Sequence, residues 1–194
     1  MRTMFQAALD AAALFERLGV PYVLVGGLAT IVYGEPRSTL DVDFAVHMNA
    51  EQARRLPALA TPQFLVQGES ALEATAQHSQ FSLVHAESYV KVDVHVVPRS
   101  GIRQLEIQRG RWQRLGPGHP DEIRIATPED VLLQKRRWFA DADETSQKQW
   151  RAVLGILKAR GHSLDSAYLR IWARDLGIGS VLERAVIAAG LGGA

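Results

Sequence analysis

The 194-residue chain contains no cysteine, which excludes disulfides, thiolate catalysis and Cys-ligated zinc. It has almost no charge excess, 22 Lys and Arg against 21 Asp and Glu for a net +1. No global field therefore draws it to nucleic acid or membrane, and an anionic partner needs a local patch. Long apolar runs are missing too, so no stretch is suited to crossing a bilayer. The first twenty residues superficially resemble a leader, but Asp10, Glu16 and Arg17 interrupt them, and no A-x-A-like cleavage site follows an apolar core. Phe5, Ala8, Leu9, Ala12, Leu14, Phe15 and Leu18 instead recur at helical spacing up to Gly19. The sequence predicts a cytoplasmic protein with no membrane partner. It shows no internal repeat, P-loop, Rossmann fingerprint or Ser–His–Asp set.

What is present is ordinary for a globular protein: 47% hydrophobic and 22% charged residues. The length suits one sizeable domain, or a domain with a smaller helical companion. "PYVLVGG" reads as a short buried strand closed by two glycines, and "LATIVYG" as a helix stopped by Gly34 and Pro36. "LDVDFAVHM" alternates as a second strand. Asn49 is a suitable N-cap for a helix that runs until Pro57. "QFLVQG", "FSLVHA", "SYVKVDVHVV" and "EIRIA" read as further strands, with a helix around "SALEATAQ" and an extended, turn-rich "RQLEIQRGRWQRLG". From Thr127, with Pro128 at the first helical position and acids in the first turn, the pattern becomes helical to the end. The expected division is an α/β core over 1–125 and a C-terminal helical region over 126–194.

One strand carries an anomaly. Residues i and i+2 of a strand share a face, so "LDVDFAVH" sends Val42, Phe44 and Val46 to the core and Asp41, Asp43, Ala45 and His47 the other way. The Asp41 and Asp43 Cα atoms are then roughly 6–7 Å apart, and two carboxylates so close repel one another. A divalent cation between them relieves this, and oxygen ligands on one face suit Mg²⁺, which also takes substrate phosphates. An exposed strand start, solvated or paired with Arg37, accounts for D-x-D equally well when the motif stands alone. The surroundings add to it: "VLVGG" opens a helix through a Gly-Gly turn, where backbone approaches a ligand closely and the helix N-terminus favours an anion. In "YVKVDVHVV" the valines form one face and Lys91, Asp93 and His95 the other, either facing solvent or lining a site. Asp93 beside the D-x-D strand completes a three-carboxylate cluster with room for two metals ~3.5–4 Å apart.

These residues resemble the nucleotidyltransferase superfamily with the DNA polymerase β-like fold: a glycine turn on a short helix, D-x-D on the next strand, and a third acid on a later one. The form "GG-x-A…G…R-x-T-x-D-x-D", with "TPEDVLLQKRRW" after it, is similar to the nucleotidyltransferase toxins of abortive-infection and toxin–antitoxin systems. The resemblance covers most of residues 20–140. It implies a nucleotidyltransferase-type mixed twisted sheet flanked by helices, with the site in the cleft beside the helical region. It further implies that Gly26 and Gly27 hold an NTP, that Asp41, Asp43 and Asp93 bind Mg²⁺ (or Mn²⁺) and act in catalysis, and that Arg37, Thr39 and Lys135 contact phosphate or support the site. Where the wider superfamily often has Gly-Ser, this chain has Gly26-Gly27, which leaves cradling to backbone N–H groups.

The implied reaction is transfer of an NMP from an NTP to an acceptor hydroxyl with loss of pyrophosphate. The toxin-like form implies an RNA acceptor such as a tRNA 3′ end and an antitoxin partner. The rivals are a small-molecule, antibiotic-type acceptor and a non-catalytic nucleotide-binding or interaction module that keeps the fold. Arg99, Arg103, Arg109, Arg111 and Arg114, with Trp112 among them, form either an RNA-gripping patch or a solvated hairpin.

Overall fold

In the computed structural model, which describes residues 2–34, 39, 41–116, 121–135 and 144–191, the N-terminal helical spacing becomes α1 (Arg2–Leu18). Gly19, at φ +65°, ends it. Its N–H bonds the Glu16 carbonyl at 3.0 Å, and the Val20 N–H bonds the Phe15 carbonyl at 2.8 Å, the paired bonds of a left-handed glycine stop. Two compact units follow from the contacts, one of residues 1–28 and 38–126, the other of 29–37 and 127–194.

The first unit is built on a mixed seven-stranded sheet of order β3-β4-β5-β2-β1-β7-β6. Its strands are β1 (Tyr22–Val25), β2 (Val42–Val46), β3 (Phe64–Val66), β4 (Gln80–His85), β5 (Lys91–Val96), β6 (Arg111–Arg114) and β7 (Glu122–Ile125). β2 runs parallel to β5 and β7 parallel to β1; the other pairs are antiparallel. The register puts Ile125, Leu24, Phe44, Val94 and Phe81 in one row across five strands, and all five are buried. Against this face α1 brings Phe15, whose ring meets Phe44 edge-on at 5.2 Å and Tyr22 at 5.8 Å. The helices α3 (Ala50–Ala60) and α4 (Gly68–Gln77) follow, α3 touching both α1 and α4, with Ala53, Ala71 and Ala74 buried. The opposite face carries the next row, Val25, Asp43, Asp93 and Ser82. The even residues of "DVDFAV" are thus committed to the core, which leaves the aspartates on the other side of the sheet.

Several segments depart from the pattern read in the sequence. β2 begins at Val42, so Asp41 lies just outside it and His47 just beyond its other end. His47 is buried, its ring Nε2 without a hydrogen bond; burial holds its pKa below the usual imidazole value, and nearby Arg99 adds to this. α3 passes through Pro57 to Ala60, because Leu56 and Ala60 are buried and that packing outweighs the backbone bond proline forfeits. The segment expected to be extended contains α5 (Gly101–Arg109). Its helix buries Ile102, Glu106 and Ile107, pairs Arg103 with Glu106 at 2.8 Å, and is capped by Arg124 of β7, whose Nη2 donates to the carbonyls of Ile107 and Gly110 at 3.0 Å. A capping arginine 15 residues or so downstream is invisible to local propensity. A Ser–His–Asp chain, which no sequence motif announces, also exists: His85 Nε2 meets Asp10 Oδ2 at 3.0 Å and Nδ1 meets Ser88 Oγ at 2.7 Å. It fastens α1 to the β4–β5 turn.

After β1, α2 (Gly26–Tyr33) leads out of the first unit. In the second unit α6 (Pro128–Gln134) starts as the sequence predicts, with Thr127 Oγ1 accepting from the Asp130 N–H at 3.3 Å. Asp130 is fully buried and also accepts bonds from the Thr127 and Tyr168 hydroxyls, both at 2.6 Å. The helices α7 (Glu144–Arg160), α8 (Ser166–Asp175) and α9 (Gly179–Ala188) bury Val153, Ile156, Leu169 and Ala185 among the described residues. Arg37 and Trp138 lie outside the described residues.

Phe44 is the centre of the buried row. Phe44→Ala is expected to lower the unfolding free energy by about 3–5 kcal/mol, read from urea midpoints at constant m-value.

Candidate functional site

The site grows out of the strand register. Asp43 and Asp93 are direct partners on the parallel strands β2 and β5, so their Cα atoms are about 4.8 Å apart. Asp43 is further paired with Val25, the last residue of β1, which brings the following glycines over its carboxylate. Gly26 has φ +67°, open to glycine at little cost, and a Cβ there would collide with the Asp43 carboxylate. A Cβ on Gly27 would collide with the Thr39 hydroxyl. Both glycines therefore serve close approach between the first turn of α2 and the acids beneath it.

Two carboxylates side by side on adjacent inner strands of the sheet need compensation. Lys91 supplies it: its Nζ lies 2.9 Å from both oxygens of Asp93. Ser82, across β4, donates to Asp93 Oδ1 at 2.6 Å. Burial alone would raise the Asp93 pKa, but the bonds from Lys91, Ser82 and Gln80 outweigh it and hold the group below the ordinary aspartate value. The Asp93 bond raises the Lys91 pKa, with Asp41 and Asp43 adding to it. The Lys91 side chain is half exposed, so this ammonium is a mobile cation over three acids. His95 on the same face brings Nε2 to 3.7 Å from Asp43 Oδ1.

The expected residues are thus distributed unevenly. Gly26, Gly27, Thr39, Asp43 and Asp93 converge in the first unit. Asp41 precedes β2, exposed, with its carbonyl accepting from the Thr39 hydroxyl at 3.4 Å. Lys135 closes α6 in the second unit. Among the described residues no three His, Asp or Glu side chains are gathered as metal ligands. The chemistry of the donor set still suits a hard divalent ion: carboxylate oxygens only, a glycine opening above them, and an ammonium already standing where positive charge is called for. Ser82 and Gln80 are site residues that sequence patterns did not mark, because their place beside Asp93 comes from the β4–β5 register.

An antigenic nucleotidyltransferase-like protein from Paracoccidioides brasiliensis superposes with a TM-score of 0.57 over 96% of this chain and 92% of its own, at 16% identity. The fold is of the nucleotidyltransferase type. A lincosamide antibiotic adenylyltransferase, LnuA, in its lincomycin-bound form, matches over 80% of this chain and 98% of its own, with a TM-score of 0.46 and 18% identity. No protein-family model and no curated protein matches the sequence.

Among the described glycines, Gly26 combines a left-handed backbone with a Cβ position already filled by the Asp43 carboxylate. Gly26→Ala must bear a left-handed backbone and displace Asp43, so it is expected to lose about 1–3 kcal/mol in a denaturant titration. A change within a few tenths would mean that the glycine turn is not pressed on the carboxylate.

Proposed function

We propose that this chain is a metal-dependent nucleotidyltransferase that moves an NMP from an NTP to an acceptor hydroxyl with release of pyrophosphate. The observation that carries the reading is the pairing of Asp43 with Asp93 beneath the Gly26 turn. Asp43 and Asp93, with Asp41 beside them, would hold Mg²⁺ or Mn²⁺. When bound, that ion supplies positive charge against the triphosphate and the departing pyrophosphate.

The chain's own residues do the rest. Gly26 and Gly27 let main chain approach the phosphates where a side chain would obstruct it, and Thr39 lines that approach. Lys91 keeps the acids compensated before substrate arrives and is free to swing out, since its side chain is half exposed. Asp93, steadied by Ser82, orients the acceptor hydroxyl and takes its proton as the new O–Pα bond forms and the bond to the leaving pyrophosphate breaks. The sequence resemblance leaves two acceptor classes, an RNA 3′ end with an antitoxin partner or an antibiotic-type small molecule, and the labelling experiment below distinguishes them.

The test is transfer of label from each α-phosphate-labelled NTP, with Mg²⁺, into RNA, protein and small-molecule fractions. Label is expected in one fraction, and Asp93→Asn should lower the rate about 10²–10⁴-fold while circular dichroism stays unchanged. No label in any fraction alongside intact NTP binding would replace the enzyme with a nucleotide-binding module.

A further inference from the structure

The register orders the site face of the sheet as a line. The glycine turn stands at the end of β1, Asp43 on β2, Asp93 on β5, and next come β4 and β3. On that face β4 presents Gln80, Ser82 and Val84, and β3 presents Leu65, the partner of Val84. A cavity of about 530 Å³ opens there, lined among others by Leu65, Gln67, Ser70, Gln80, Ser82 and Val84, a size ordinary for small-molecule sites. Ser82 belongs to both places at once, since it lines the cavity and donates to Asp93 at 2.6 Å. Gln80, two residues before Ser82 on the same face, likewise lines the cavity.

We propose, on the basis of the nucleotidyl-transfer reading above, that this cavity is the acceptor site and that the acceptor is a neutral, hydroxyl-bearing small molecule with an apolar portion. Three features carry this. The cavity lies on the far side of Asp93 from the glycine turn, one strand away, so a hydroxyl seated over Ser82 is about 5 Å from Asp93. Its lining contains amides and hydroxyls but no charged side chain, which suits sugar-like hydroxyls better than a phosphodiester backbone, and the Lys91 ammonium on the neighbouring strand is held by both Asp93 oxygens. Leu65, 62% exposed on the edge strand, with Val84, offers an apolar wall. In the transfer, the seated hydroxyl oxygen bonds to Pα of the NTP, its proton passes to Asp93, and pyrophosphate leaves. The basic strand β6, with exposed Arg111, Trp112 and Arg114, is at the other edge of the sheet, separated from Asp43 by β1 and β7.

The test uses binding rather than turnover. The ¹⁵N-labelled full chain, without nucleotide, is titrated with 4-nitrophenyl β-D-glucopyranoside, with uridine, and separately with a short single-stranded RNA. The neutral probes are expected to shift the amides of Leu65, Gln80, Ser82 and Val84. Val84→Arg, which fills the cavity with a charged side chain, should weaken that binding about tenfold or more while leaving the spectrum of β1 and β7 in place. No shift of these amides by either neutral probe at tens of millimolar would overturn the proposal, as would RNA shifting them in their place. A parallel NTP titration separates the two readings: loss of NTP binding contradicts the transferase, whereas the cavity stands or falls on the neutral probes.

Discussion

The parallel pairing of β2 with β5 is the constraint on which the rest of this molecule depends. A parallel ladder offers no local hairpin to set its register, so the register must come from side chains. Here Phe44 and Val94 are locked into one buried row with Leu24 and Phe81, and a slip of one residue would turn every one of them to the wrong face. Because that register is held by the core, the neighbouring row is held as well, and Asp43 is fixed beside Asp93. The acids are thus positioned by hydrophobic packing on the opposite side of the same strands.

The cost of that arrangement is electrostatic, and the chain meets it with neutral and mobile groups. Ser82 and Gln80 offer hydrogen bonds to Asp93, which stabilise the carboxylate without fixing a permanent charge beside it. Lys91 provides the positive charge, yet on a long, half-exposed side chain that can leave. An arginine buried at the same place would compete with any incoming cation. The acids are therefore compensated without a fixed, buried cation beside them.

Much of this could be read from the residues alone. Alternation in "DVDFAV" and "YVKVDVHV" separates the core valines from the acids, and the two glycines after "YVLV", read as a turn for close approach to a ligand, are themselves closely approached by the Asp43 and Thr39 side chains. What could not be read came from contacts distant in sequence. Local pattern predicts an extended, turn-rich stretch where α5 forms, because the helix's cap is Arg124 on β7. Ser82 looked like any polar residue of an alternating strand until the β4–β5 register set it against Asp93. The Asp10–His85–Ser88 chain joins residues 75 positions apart. Asp41 was assigned to the strand on alternation, whereas the ladder begins one residue later.

The central claim is that Asp43 and Asp93, beneath the glycine turn, form a site for a divalent cation and a nucleotide triphosphate together. It is tested most directly by calorimetric titration of a non-hydrolysable NTP analogue into the protein, with and without Mg²⁺, alongside Asp43→Asn. The account predicts binding at least about tenfold tighter with Mg²⁺ and no such gain in the variant. Affinity that is the same with and without Mg²⁺, or a gain that survives Asp43→Asn, would contradict it.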